Sequence, residues 1–160
     1  MREQINIRPL ERKDKQSMVK WLSTPEVLKY YEGRDKPFSE EQVELKFFKT
    51  KSRVSRWIAE VNGENIAYLQ SYPLNEKERS TYGMSKEERR VVGLDQFIGE
   101  TAFWNKGYGT LLITELRNRL LQDGAEIMTM DPIASNWRAI RCYEKCGFSV
   151  VKKTTKPCAA

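Results

Sequence analysis

The succession "VVGLDQFI", "WNKGYGT", "LLITELRNRLLQDG" and "EIMTMDP" limits the possible folds more than any other part of the chain. The first piece alternates with period two and the second is rich in turn residues. The third repeats leucine at helical spacing, and the fourth is a short apolar run ended by Pro132. Strand, tight turn, helix and strand in that order make a βαβ crossover, which belongs to α/β architectures whose helices cover a sheet with parallel strands. Within the crossover helix, which opens at Tyr108, Leu112, Ile113, Leu116 and Leu120 form the core-facing stripe, and Gly124 is the stop.

The flanking sequence extends this unit. "INIRPL" predicts an opening strand closed by Pro9, and "KQSMVKWL" a helix with Met18, Trp21 and Leu22 on one face, Asp14 as N-cap and Pro25 shortly beyond. Ser39 and Gln42 have the spacing of a capping box for a second helix carrying Val43 and Phe47 one turn apart. "RWIAEVNGENIAYLQSY" reads as a hairpin turning at Asn62-Gly63, a dipeptide suited to two successive positive φ angles. Residues 73–90 are polar without a sustained period, which predicts a long loop. "SNWRAIRCYEKCG" predicts a helix capped by Ser135 or Asn136, with Trp137 and Ile140 as core anchors and Gly147 at its C′ position, and "FSVVKK" returns as a strand. The expected order is β-α-α-β-β-loop-β-α-β-α-β, in a single domain over residues 1–160 without repeats or linkers.

Composition narrows the chemistry. A net charge of +6 favours anionic partners, yet the basic residues are scattered, which disfavours nucleic acid. No window approaches the ~18 unbroken apolar residues of a membrane span, so no membrane partner and a cytoplasmic location are expected. The three cysteines, Cys142, Cys146 and Cys158, read as reduced thiols, and no metal site is expected. The chain has no histidine, which excludes Ser-His-Asp and Cys-His designs; an acid or base must be Asp, Glu, Tyr, Lys or Cys.

Three groupings carry the candidate chemistry. Gly107 and Gly109 at the start of a helix suit an anion held by first-turn amides, with Lys106 and Thr110 beside them, although G-x-G alone fits a plain turn as well. Asn136 and Tyr143 are seven residues apart on one helical face, and a phenol there either donates a proton or is simply packed. Asp95 within an apolar strand and Asp131 at the end of the next converge if those strands are neighbours; burial of a carboxylate like Asp95 needs a reason.

Taken together, "GLDQFIG…WNKGYGT…MDP…SNWRAIRCYEKCGF" resembles the GCN5-related N-acetyltransferase (GNAT) superfamily, and within it the aminoglycoside 6′-N-acetyltransferases. The resemblance is close over residues 91–151 and looser over most of the remainder. It implies a mixed central sheet splayed at the cofactor site and flanked by about four helices, with acetyl-CoA as cosubstrate. It further implies that Phe97 and Ile98 line the splay, that Lys106, Gly107, Tyr108, Gly109 and Thr110 cradle the pyrophosphate, and that Asn136 meets the pantetheine arm. Tyr143 corresponds to the acid for the thiolate and Asp95 to the carboxylate that binds and deprotonates the amine, with Asp131, Tyr31, Phe47 and Gln70 lining the acceptor site. Trp104 stands where the superfamily places Gln or Arg. The family's last strand has no counterpart after "GFSVVKK", which implies either a truncated chain or completion of the sheet by another chain, as a homodimer or strand swap. The implied acceptor is an aminoglycoside; other polyamine-like, siderophore or protein amines, and a CoA-binding module without catalysis, are the alternatives.

Overall fold

A computed structural model describes residues 4–31, 36–49, 52–132 and 134–151. The elements are β1 (Ile5–Pro9), α1 (Lys15–Trp21), α2 (Pro25–Tyr30), α3 (Glu40–Val43), β2 (Ser55–Val61), β3 (Glu64–Pro73), α4 (Glu76–Thr81), β4 (Val91–Ile98), α5 (Tyr108–Gln122), β5 (Ile127–Thr129) and α6 (Trp137–Lys145). The strands form one sheet in the order β1-β2-β3-β4-β5, antiparallel throughout except for the parallel β4–β5 pair. Among the described residues no helix is long and apolar enough to cross a membrane.

Period-two alternation sorts the side chains onto two faces. On one, Ala59, Leu69, Val92 and Leu94 meet Leu112, Leu116 and Leu120 of α5 in an aliphatic core. On the other, Ile58 and Tyr68 meet Met18, Trp21, Leu22, Val27, Leu28, Val43 and Phe47 from α1, α2 and the α3 segment, with Phe97 packed against them. The hairpin turns where expected, with φ of 51° at Asn62 and 82° at Gly63. The Ser39–Gln42 capping box forms in both directions, and the chain after Val43 continues as a wider π-helical turn over Glu44–Lys49.

One expectation is extended and three are corrected. Pro25 follows α1 but also opens α2 at its first turn, where a missing N–H costs nothing. Residues 73–90 are not all loop: Asn75 and Glu78 form a reciprocal capping box that starts α4. Asp14 sits at the N-cap position of α1 but does not cap it. Its buried carboxylate accepts from Arg8 at 2.7 and 2.8 Å, from Asn65 at 3.0 Å and from the Glu11 amide at 2.8 Å. Phe148–Val151 is not a strand: alternation alone makes no ladder, and among the described residues none pairs with it, although β5 stands at the edge of the sheet. Val150 and Val151 are exposed instead, and the proposed edge at Lys152 lies outside the described residues.

Candidate active site

The candidate acid–base site grows from strand register. Arg56 on β2 lies opposite Gln70 on β3, which lies opposite Asp95 on β4, so the three side chains share one face across three strands. Gln70 Oε1 accepts from Arg56 at 3.1 Å and from the Tyr68 hydroxyl at 2.6 Å, while Arg56 also donates to that hydroxyl at 2.7 Å. With its oxygen so occupied, Gln70 turns its Nε2 to Asp95 Oδ2 at 2.8 Å. A cation at the far end of the ladder thus orients a neutral amide that fixes a carboxylate.

Two tyrosines not foreseen from sequence complete this side. Tyr72 pairs with Gly93, and a Cβ at position 93 would overlap the Tyr72 ring, so the absent side chain is what admits the phenol. Burial raises the Tyr72 hydroxyl far above its ordinary range, with the charges of Asp95 and Asp131 adding to the effect. Tyr82, directly after α4, donates to Asp131 Oδ2 at 3.0 Å. Asp131 is exposed as a residue, yet the protein packed around its carboxyl group raises it above the usual range, against the hydrogen bonds from Tyr82 and its own backbone. Asp95 and Asp131 both act on Tyr72 and Tyr143, so the two aspartates converge on one region. Gly93→Ala is expected to cost about 1–3 kcal/mol through overpacking; a urea unfolding midpoint equal to that of the parent would show that Tyr72 moves aside freely.

The cofactor side begins where β4 and β5 separate. They pair only over Val91–Gly93 and Ile127–Thr129, whereas β4 runs on to Ile98, so Leu94–Ile98 have no β5 neighbour. A fork opens there. Gln96, on the face opposite Asp95, donates to the Gly109 carbonyl at 3.1 Å, which ties the strand to the first turn of α5, and its Oε1 is buried without a donor among the described residues. Gly107 precedes α5 at φ 87°, a conformation that favours glycine, and the first-turn amides that follow it have no acceptor within the helix. Lys106 is exposed in this turn, and Tyr108 is buried against Phe103. The Thr110 hydroxyl lies 3.6 Å from Cys142 Sγ and so faces α6. Trp104 donates from Nε1 to the Ile98 carbonyl at 2.8 Å, closing the end of β4.

Helix α6 brings the remaining candidates. Asn136 caps it by accepting from the Ala139 amide at 3.2 Å. Tyr143 is buried edge-on to Phe148; burial raises its hydroxyl well above the ordinary range, and Cys142, Asp95, Cys146 and Asp131 add to that. Ala139, Cys142, Tyr143 and Cys146 make the inward stripe, which leaves Trp137 off it: the expected core anchor is 60% exposed. Phe47 is likewise displaced from its expected role, being enclosed by Phe38, Tyr68 and Arg56 with 4% of its surface left, so it backs the acceptor side without lining it. Tyr31 is half-buried, its ring 4.9 Å from that of Phe97, which points to the aromatic face and away from α5.

This arrangement sets an oriented carboxylate on one flank of β4 and an open parallel fork beside a helix start on the other. The family model for the acetyltransferase (GNAT) domain matches residues 11–156. The chain belongs to the GNAT acetyltransferase family. Aminoglycoside N(6')-acetyltransferase type 1 of Klebsiella pneumoniae is 32% identical over 162 residues, covering 97% of this chain and 79% of that protein. Among solved structures, AAC(6')-Ib in complex with ribostamycin and coenzyme A is 30% identical, with a TM-score of 0.81 and coverage of 96% of this chain and 87% of that one. AAC(6')-Ib with coenzyme A and kanamycin gives 29% identity and a TM-score of 0.79, covering 96% and 89%. The five-stranded mixed sheet, parallel only at β4–β5, is therefore the GNAT sheet, and the fork is where this family's splay was expected.

Proposed function

We propose that this GNAT protein transfers an acetyl group from acetyl-CoA to the 6′-amine of aminoglycosides. The observation that carries the reading is the Arg56–Gln70–Asp95 ladder, which fixes a carboxylate on the strand that also forms one wall of the fork. Relatives named for this activity, and similar structures holding coenzyme A with ribostamycin or kanamycin, support the same choice of substrates.

The residues fit the cosubstrate. A fork in a parallel sheet offers strand amides and carbonyls to an extended amide-bearing arm, and the buried Gln96 Oε1 is an acceptor placed beside the same turn. The first turn of α5 after Gly107 takes the pyrophosphate through backbone amides, with the Lys106 charge alongside. Asn136 Oδ1 is committed to its cap, so its amide nitrogen is the group left to meet the pantetheine. Acetyl-CoA supplies the thioester whose acetyl group moves to the acceptor.

The chain's own groups manage the protons. Asp95 and Asp131 attract a cationic acceptor, but an amine attacks only when neutral, so Asp95 takes the ammonium proton, directly or through water, as the N–C bond forms. When the C–S bond breaks, the proton on Tyr143 Oη passes to sulfur. Burial keeps this phenol protonated until the thiolate forms beside it, and the phenolate left by the transfer, costly in the same surroundings, regains a proton from solvent as the products leave.

Thiol release by the purified chain with acetyl-CoA and kanamycin tests the reading, with Tyr143→Phe beside the parent. We expect kanamycin to be turned over, and the variant to lose roughly 10²-fold in kcat while CoA affinity stays near that of the parent. Turnover of spermidine without kanamycin would move the site to another amine. Equal losses of rate and affinity in the variant would remove Tyr143 as the acid.

A further inference from the structure

Arginine–indole pairs line the outer lip of the cofactor turn. Cys142 faces the first turn of α5 through its contact with Thr110, and Arg138, one helical turn earlier on the same face, reaches past the start of α5. Its guanidinium carbon lies 5.8 Å from the ring centre of Trp104, the indole pinned to the Ile98 carbonyl. Trp137 and Arg141 are four residues apart and stack at 5.1 Å, and Arg138 and Arg141 are three apart, so the three residues make one continuous exposed face. Among the described residues neither arginine forms an ion pair, in a molecule where Arg8, Arg12, Arg53 and Arg89 all do. Two exposed guanidinium groups lying over aromatic rings, without ion-pair partners among the described residues, suit a phosphate and stacking with a planar base.

We propose that Arg138 and Arg141, backed by Trp104 and Trp137, form a subsite for the adenosine 3′-phosphate end of coenzyme A. The proposal rests on the acetyltransferase reading above. If the amides after Gly107 hold the pyrophosphate, the next part of the ligand along its length is the adenosine bearing its 3′-phosphate dianion. On α6 these two arginines are exposed and form no ion pair among the described residues, and Arg138 lies over Trp104, three residues before Gly107. The indole at position 104 then plays a part of its own. The superfamily's Gln or Arg there would offer hydrogen bonds to the phosphates, whereas Trp104 offers a platform that fixes Arg138.

Calorimetric titration of CoA and of 3′-dephospho-CoA against the parent protein, Arg138→Gln and Arg141→Gln distinguishes the outcomes. The parent is expected to bind CoA about tenfold more tightly than the dephospho form. Arg138→Gln is expected to lose that advantage, with its affinity for 3′-dephospho-CoA unchanged, and Arg141→Gln to lose part of it. A parent that binds both ligands equally, or an Arg138→Gln variant that weakens both alike, overturns the subsite while leaving the acetyltransferase reading standing. A parent that binds neither overturns both.

Discussion

Asp95→Asn is expected to leave cofactor affinity close to that of the parent and to reduce kcat by about 10²–10⁴, the usual share of a general base. The substitution is nearly isosteric, and the asparagine oxygen can still accept from Gln70 Nε2, so the ladder from Arg56 survives and the fold with it. What is lost is the proton acceptor. Steady-state thiol release combined with CoA titration separates the two effects; a variant that turns over kanamycin at the parent rate would place the base elsewhere. Gln70→Ala makes a useful companion, because it removes the amide that fixes the carboxylate and leaves the charge. A smaller loss of kcat than that of Asp95→Asn is the expected result.

Asp14→Ala is expected to destabilise the folded chain by about 3 kcal/mol or more, the cost of stranding a buried charge once its partner is removed. Arg8 is mostly buried and donates to both oxygens of Asp14, so its guanidinium would be left without its main counter-charge. Burial alone would raise the Asp14 carboxyl, but hydrogen bonds from Arg8, the Glu11 amide and Asn65 outweigh it and hold the group below the ordinary range. A lowered carboxylate contributes stability above the unfolded value, and the contribution disappears as pH falls through the folded value. Urea unfolding at neutral pH and below pH 4 therefore gives a difference between parent and variant that is large in the first case and shrinks in the second. A shape-matched apolar pair, Arg8→Met with Asp14→Leu, should recover much of the loss; if it does not, the network supports more of the fold than its charges.

The carboxyl-terminal half was legible because its local signals agree with its tertiary role. The β4 alternation, the α5 leucine stripe, the Gly107 turn and the Gly147 stop each say the same thing as the packing. The α4 signal was also present, as Asn75 and Glu78 at capping-box spacing, but six mostly charged residues gave no apolar period to support it. Sites built across strands were harder to read. Asp95 could be singled out as a carboxylate in an apolar strand, whereas Arg56 and Gln70 become its partners only once the register of β2, β3 and β4 is known. Tyr72 and Tyr82 were hidden for the same reason, since neither is near Asp131 in sequence. Trp137 misled because an aromatic residue at helical spacing resembles core, and its neighbours Ala139, Cys142 and Tyr143 already fill the buried stripe.

The two faces of β4 belong to different packing layers, with Asp95 and Phe97 on the aromatic side, and Leu94 and Gln96 on the side of α5. Changes to the N-terminal helices or to the outer residues of β3 are therefore expected to reshape the acceptor side proposed around the carboxylates, with little energetic coupling to the turn proposed to hold the nucleotide. Such a molecule can drift in drug spectrum by substitutions on one layer while its demand for the same donor stays fixed by the other.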